Sequence, residues 1–197
     1  MQTHFEVAVV GGGIMGLSAA WQLCRRGVGV VLVDRYRVGH VRGSSHGESR
    51  VARAAYADPL WASLARESLT RSWPELERAA GSTLLHRQPV YLFGPSQGAI
   101  GQYAEAVESI EGIASIAAER AREHAAALRI ADEDLVLEDR TGGVIHAEAT
   151  MAALRAALLG DGATIKEGLA LLTLRPAAMG TKLLGLWATT APFSCMW

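Results

Sequence analysis

The segment that most limits what this chain can become is Gly11-Gly12-Gly13-Ile14-Met15-Gly16. It lies between an apolar run, Phe5 to Val10, and a helical pattern, Met15 to Arg26. A second apolar run, Val28 to Val33, follows and stops at Asp34. Strand, glycine turn, helix, strand and acid is the order of a βαβ dinucleotide-binding unit. Each part has a physical task. Gly11 permits the tight turn out of the strand, Gly13 lets the backbone touch a pyrophosphate, and Gly16 lets the helix lie close on the sheet. The unpaired N–H groups at the helix start, those of Ile14 and Met15 among them, face an anion. Asp34, about twenty residues on, accepts hydrogen bonds from a ribose diol. A carboxylate there repels a phosphorylated ribose. The same glycines also allow a plain strand-to-helix turn with no ligand. That reading leaves unexplained why an acid ends the second strand.

With 197 residues, half of them hydrophobic, the chain has material for one large core or one and a fraction. A net charge of −1 gives no electrostatic case for nucleic acid or for an anionic membrane surface. Cys24 and Cys195 make no disulfide framework, and Cys24, inside the first helical pattern, reads as a small core residue. No basic and apolar leader precedes Phe5, so no secretory signal is expected. No apolar run is long enough to span a bilayer. The cytoplasm is the expected compartment.

Further along, Gly27 closes the first helix and residues 35–49 read as a loop. Leu60, Trp61, Leu64, Leu69, Trp73 and Leu76 repeat at helical spacing over Leu60 to Ala80, which makes both tryptophans core residues. Pro74 should kink that helix or start a second. Val90 to Phe93 is a short strand. Ile100 to Ile110 and Ala117 to Leu128 are helical, with acids on a solvated face. Leu135 to Leu137 is a weak strand, and Thr141-Gly142-Gly143 a turn before Val144-Ile145. Ala147 to Leu159 is an alanine-rich helix. Ala163 to Lys166 and Leu169 to Leu174 are strands returning to the sheet. The alternation predicts an α/β fold, Rossmann-like, with a parallel central sheet.

The loop after Asp34 adds specificity. It reads His40-Val41-Arg42-Gly43-Ser44-Ser45-His46-Gly47-Glu48-Ser49-Arg50-Val51-Ala52-Arg53. This closely resembles the signature of the monomeric sarcosine oxidase and pipecolate oxidase group, FAD-dependent amine oxidases of the D-amino-acid-oxidase-like class. Trp73 to Glu77, Gly142 to Ile145 and Gly162 to Gly168 are similar to that family too. The resemblance covers roughly residues 5 to 176.

The resemblance implies an FAD-binding domain interleaved with part of a substrate domain. It implies FAD as cofactor, a small amine bearing a carboxylate as substrate, molecular oxygen as acceptor, and a monomer. It places Gly11, Gly13, Ile14, Met15, Gly16, Asp34 and Arg35 at the ADP end of the cofactor. Ser44, Ser45, His46 and Arg50 fall in the loop beside the flavin, where His46 and Arg50 are the catalytic candidates. A cation such as Arg50 favours negative charge on a reduced ring. Arg53 matches the partner of the substrate carboxylate, for which a guanidinium fork is better suited than an ammonium. Leu171 matches a position whose backbone borders the adenine. No metal site is implied. On the residues alone, His46 also fits a role satisfying loop backbone groups, and Arg50 or Arg53 a surface ion pair.

From about Ala177 the family pattern and the charge both fade. Residues 177–197 are expected to be an aberrant tail, from a truncated chain with a shifted reading frame, or else a new C-terminus. The expected chain is accordingly nearly inactive. Two other readings stay open: a non-catalytic FAD-binding remnant, and an NAD-dependent dehydrogenase, which the first motif alone allows.

Overall fold

The computed structural model describes residues 4–174 and 186–189. The chain divides into two compact units. One runs to Glu48 and resumes at Ala147; the other is Ser49–His146.

The first unit opens with strand β1 (Val7–Val10), helix α1 (Ile14–Cys24) and strand β2 (Val30–Val33). The chain then builds the second unit. Its elements are β3 (Ser49–Ala52), α2 (Pro59–Glu67), α3 (Trp73–Ala80), β4 (Leu85–Arg87), β5 (Val90–Pro95), α4 (Ala99–Val107), β6 (Ile113–Ile116), α5 (Ala118–His124), β7 (Asp134–Asp139) and β8 (Gly143–His146). It returns to the first unit with α6 (Ala147–Gly160), β9 (Thr164–Lys166), β10 (Ala170–Leu174) and β11 (Leu186–Thr189).

The first unit holds a three-stranded parallel sheet in the order β1-β2-β9, as the alternation predicts. Val7 pairs with Val30 and Val10 with Val33, while Val31 to Val33 pair with Thr164 to Lys166. All four residues of β2 are buried. That is the behaviour of a central parallel strand covered on both faces. Helix α1 packs on α6, with Leu17 and Ala20 from the first and Leu154 and Leu158 from the second fully or almost fully buried. The Trp21 indole N–H donates to Asp161 Oδ2 at 3.0 Å, which ties the two helix ends together. Cys24 is half-buried rather than in the core. Burial and the nearby Asp161 carboxylate push its thiol above the ordinary range. Strand β10 does not join the parallel sheet as expected; it pairs antiparallel with β11. Just before β10, Leu169 donates its N–H to the Asp34 carbonyl at 2.9 Å. Cys195 and most of the expected tail lie outside the described residues.

The second unit is antiparallel throughout, in the orders β3-β8-β4 and β5-β7-β6. The expected weak strand at Leu135 is longer, six residues, and is the middle strand of its sheet. Three strands lacked a sequence signal: β3, read as loop, and β4 and β6. Leu60 to Ala80 is helical throughout, but not regularly: α2 and α3 flank a π-helical turn at Ser68–Ser72, and Pro74 follows directly on that turn. Trp73 packs on the buried Ala52, Ala54, Leu69 and Leu85 cluster. Trp61 does not: it is 60% exposed, along with Leu60 and Leu64. Helix α2 turns Ala62, fully buried, toward its core instead. The small residue packs closely and the large ones on the other side face water. Among the described residues no helix is long and apolar enough to cross a membrane.

Candidate functional site

The glycine turn is built as its sequence requires. Gly11 has φ +103°, outside the range ordinary residues adopt. A Cβ on Gly16 would fall 1.8 Å from the Gly11 carbonyl oxygen, so α1 begins hard against the turn. A Cβ on Gly13 would press on the Ser45 hydroxyl, 3.3 Å away. That hydroxyl accepts the Ile14 N–H at 3.0 Å. Ser45 therefore caps the first amide of α1 across 31 residues, a role the sequence reading did not assign it. Met15 is 80% exposed at the same helix start.

Asp34 ends β2 with 8% of its surface exposed. Its Oδ2 accepts the Gly12 N–H at 2.5 Å and its Oδ1 accepts the Tyr36 N–H at 2.6 Å. His40 Nε2 lies 3.6 Å from Oδ1. The carboxylate is thus fixed by the turn and by its own loop. An ionised carboxylate has about four acceptor positions, so capacity remains for a ribose diol.

Beside Asp34 is a cleft of about 430 Å³, lined by Val10, Gly11, Asp34, Arg35, Tyr36 and Leu171 among others. Its size is that of small-molecule sites. It brings together residues from the end of β1, the end of β2 and the start of β10. The Arg35 guanidinium lies 5.4 Å from the centre of the Tyr36 ring, over its face. The glycine cradle, the capped helix start and this cleft with an acid at its rim fit the ADP end of a dinucleotide.

The loop from Tyr36 to His46 is held from below by Glu167. Its Oε1 accepts the Val38 N–H at 3.0 Å, and the Arg155 guanidinium pairs with it at 3.3 Å. Burial acts to raise the Glu167 carboxyl. The Arg155 hydrogen bond, the Val38 amide and the charges of Arg155 and Arg37 outweigh it and hold the group below its ordinary value. His46 Nδ1–H donates to the Gly43 carbonyl, so this ring does serve its own loop. Ser44 is exposed.

Arg50 and Arg53 belong to the second unit. Arg50 is on β3, not in a loop, and donates to the Ser49 carbonyl at 2.7 Å. Just past β3, the N–H groups of Ala54 and Ala55 donate to Asp139 Oδ2 at 2.5 and 3.1 Å. The other oxygen, Oδ1, accepts the Thr141 N–H and hydroxyl at 2.9 and 2.6 Å. Asp139 is fully buried, and it fixes the main chain that follows Arg53. A Cβ on Gly142 would fall 2.5 Å from the Ala52 carbonyl oxygen, so this turn lies flat on β3. The Arg53 guanidinium is over the rings of Tyr56 and Tyr103, at 4.9 and 5.6 Å from their centres. Asp139, Tyr56 and Tyr103 were missed by sequence reasoning. An acid closing an apolar strand before Thr-Gly-Gly was the one available signal.

A glycine cradle of this kind on a parallel sheet, with an acid at the end of the second strand, is the arrangement of a dinucleotide-binding domain. The chain belongs to the family described as DAO, FAD dependent oxidoreductase, which matches residues 6–191. The match continues past Pro176, where the motif resemblance ended. The family's cofactor is FAD. The chain is 32% identical over 179 residues to the peroxisomal sarcosine oxidase of Mus musculus, covering 89% of this chain and 45% of that protein. It is 38% identical over 112 residues to the monomeric sarcosine oxidase of Bacillus sp. strain B-0618, covering 56% of this chain and 27% of that one. Among solved structures it is similar to NikD, an unusual amino acid oxidase essential for nikkomycin biosynthesis. There the TM-score is 0.70 and the identity 26%, over 88% of this chain and 46% of that one. L-proline dehydrogenase from P. horikoshii, at 18% identity and a TM-score of 0.72, shares the fold. The chain spans about half the length of the curated relatives matched over most of its own length.

Proposed function

We propose that this chain supplies the FAD-binding and carboxylate-anchoring parts of an amine oxidase acting on a secondary or N-methyl amino acid. The substrate amine becomes an imine and oxygen becomes hydrogen peroxide. When bound, FAD supplies the hydride acceptor and the route to oxygen. The protein binds and orients. Gly11, Gly13 and Gly16 give the pyrophosphate room, and the Met15 amide meets its charge next to Ile14, whose own N–H is taken by the Ser45 hydroxyl. Asp34 and Arg35 hold the ribose, and the Leu171 backbone borders the adenine. Ser44, His46 and Arg50 flank the ring system, where the Arg50 cation favours negative charge. Arg53 pairs with the substrate carboxylate. We read the protein as a cytoplasmic monomer.

The observation that carries the substrate class is Arg53. The residue is half-buried, its guanidinium is over two tyrosine rings, and among the described residues no carboxylate pairs with it. A cation so placed is satisfied by an anionic group brought by a ligand. The test is purification with FAD, followed by spectral titration and a peroxidase-coupled assay with sarcosine, pipecolate and proline. A flavin spectrum perturbed by these amino acids, and lost in Arg53→Met, supports the reading. Bound FAD whose spectrum ignores all three, with no peroxide formed, overturns it.

A further inference from the structure

The environment of Arg53 carries more than its charge. Asp139 fixes the main chain at Ala54 and Ala55, leaving the long Arg53 side chain as the remaining freedom. Two aromatic rings then meet its head. Tyr103, on α4, is half-buried and packs against the Ala55, Ala62, Ile100, Val107 and Leu137 cluster. Its ring is held by a core. Tyr56, three residues beyond Arg53, is 37% exposed and is the looser of the two. A ring face attracts a guanidinium through its quadrupole but brings no counter-charge. It therefore orders the cation without neutralising it, as a carboxylate would.

We propose that Tyr103, assisted by Tyr56, is the positioning residue that sets how the Arg53 guanidinium meets a substrate monocarboxylate. This rests on Arg53 being the carboxylate anchor. Tyr103 touches the arginine and acts through it. Its contribution comes from the ring face and not from the hydroxyl, so phenylalanine replaces it and an aliphatic side chain does not. Without the ring, Arg53 samples several rotamers, and each binding event must order it again.

The experiment is NMR on the full chain loaded with FAD, with acetate as the carboxylate probe. The Arg53 side-chain signals are assigned by their loss in Arg53→Lys. In the parent protein the Arg53 δ protons should be displaced upfield by the ring currents, and acetate should move the Arg53 Nε–H signal. Tyr103→Phe should keep both, with acetate affinity within about twofold. Tyr103→Leu should lose most of the displacement and weaken acetate by about tenfold. Tyr56→Leu, at an exposed position, should weaken it less, and keeps the test open if Tyr103→Leu does not fold. Unchanged acetate affinity in the leucine variants overturns the positioning role and leaves Arg53 as anchor. Tyr103→Phe as weak as Tyr103→Leu also overturns it. An Arg53 signal in the parent protein that ignores acetate breaks the anchor reading itself, and this inference with it.

Discussion

In the unit that holds the glycine turn, the buried run of the central strand is Val30, Val31, Leu32 and Val33. In the other unit it is Val136, Leu137, Glu138 and Asp139. Both strands are central and both runs are buried, yet half of the second is acidic. The first run is fixed by transfer of apolar groups from water. The second survives burial because each carboxylate is met by donors. Asp139 receives four hydrogen bonds. Glu138 receives the Arg140 guanidinium at 2.6 Å and the Tyr91 hydroxyl at 3.3 Å. Burial and the Glu138 charge together raise the Tyr91 hydroxyl above its ordinary value. The central strand of one unit is wholly apolar, with its buried acid, Asp34, only past its end. The other has polar groups in its sheet that orient the segment bearing Arg53.

The largest effect expected from breaking this contrast is Asp139→Ala. Four donors on Ala54, Ala55 and Thr141 lose their acceptor; at about 1–3 kcal/mol for each buried group left unmet, the fully buried Ala54 and Ala55 amides alone lose roughly 2–6 kcal/mol. Hydrogen exchange should show the Ser49–His146 unit losing protection while the β1 and β2 amides keep theirs. Equal loss in both units would show that the polar core is not local to one of them.

Gly16→Ala strikes the other unit. Its Cβ meets a main-chain oxygen and not a flexible side chain, so the helix or the turn must move, for about 2–3 kcal/mol. Urea unfolding should show this loss, with FAD binding weakened in the same variant. Asp34→Ala should leave the fold nearly intact and weaken FAD by about 1–3 kcal/mol, the worth of hydrogen bonds to a charged group. Calorimetric titration reads it. An unchanged affinity would move the ribose away from Asp34.

The smallest effect is on pH dependence. Glu167 is held below its ordinary value in the folded chain, so its contribution is present above the unfolded carboxyl range. It fades as pH falls through that range toward the folded value. Glu167→Gln should flatten the acid limb of a stability-versus-pH curve and leave the neutral region little changed in slope. An acid limb identical to that of the parent protein would contradict this assignment.

Legibility followed the same division. Val7 to Val10, Val30 to Val33 and the glycines between them announce strand, turn and strand within 30 residues, because every contact they need is local or one crossover away. The second unit pairs β3 with β8 across about ninety residues. Ser49-Arg50-Val51-Ala52 looks like loop because only Ala52 of its four residues is buried; its strand character comes from a partner elsewhere. Trp61 follows the apolar stripe of its helix and still faces water, while its neighbour Ala62 takes the buried position on α2. Periodicity shows that a helix has two sides. It does not show which side the neighbouring elements will cover.

The residues alone determined a βαβ cradle with an acid at its rim, because steric demands at Gly11 and Gly16 and burial along β2 leave few other arrangements. They also marked Arg53 through its family setting. Folding decided what each of these side chains can still do. It placed Ser45 on the Ile14 amide, spent two acceptor positions of Asp34 on main-chain N–H groups, and turned His46 to the Gly43 carbonyl. It put Tyr103, fifty residues from Arg53, under the guanidinium. A side chain's chemistry is written in its type, but its free valences depend on neighbours that only a packed chain supplies.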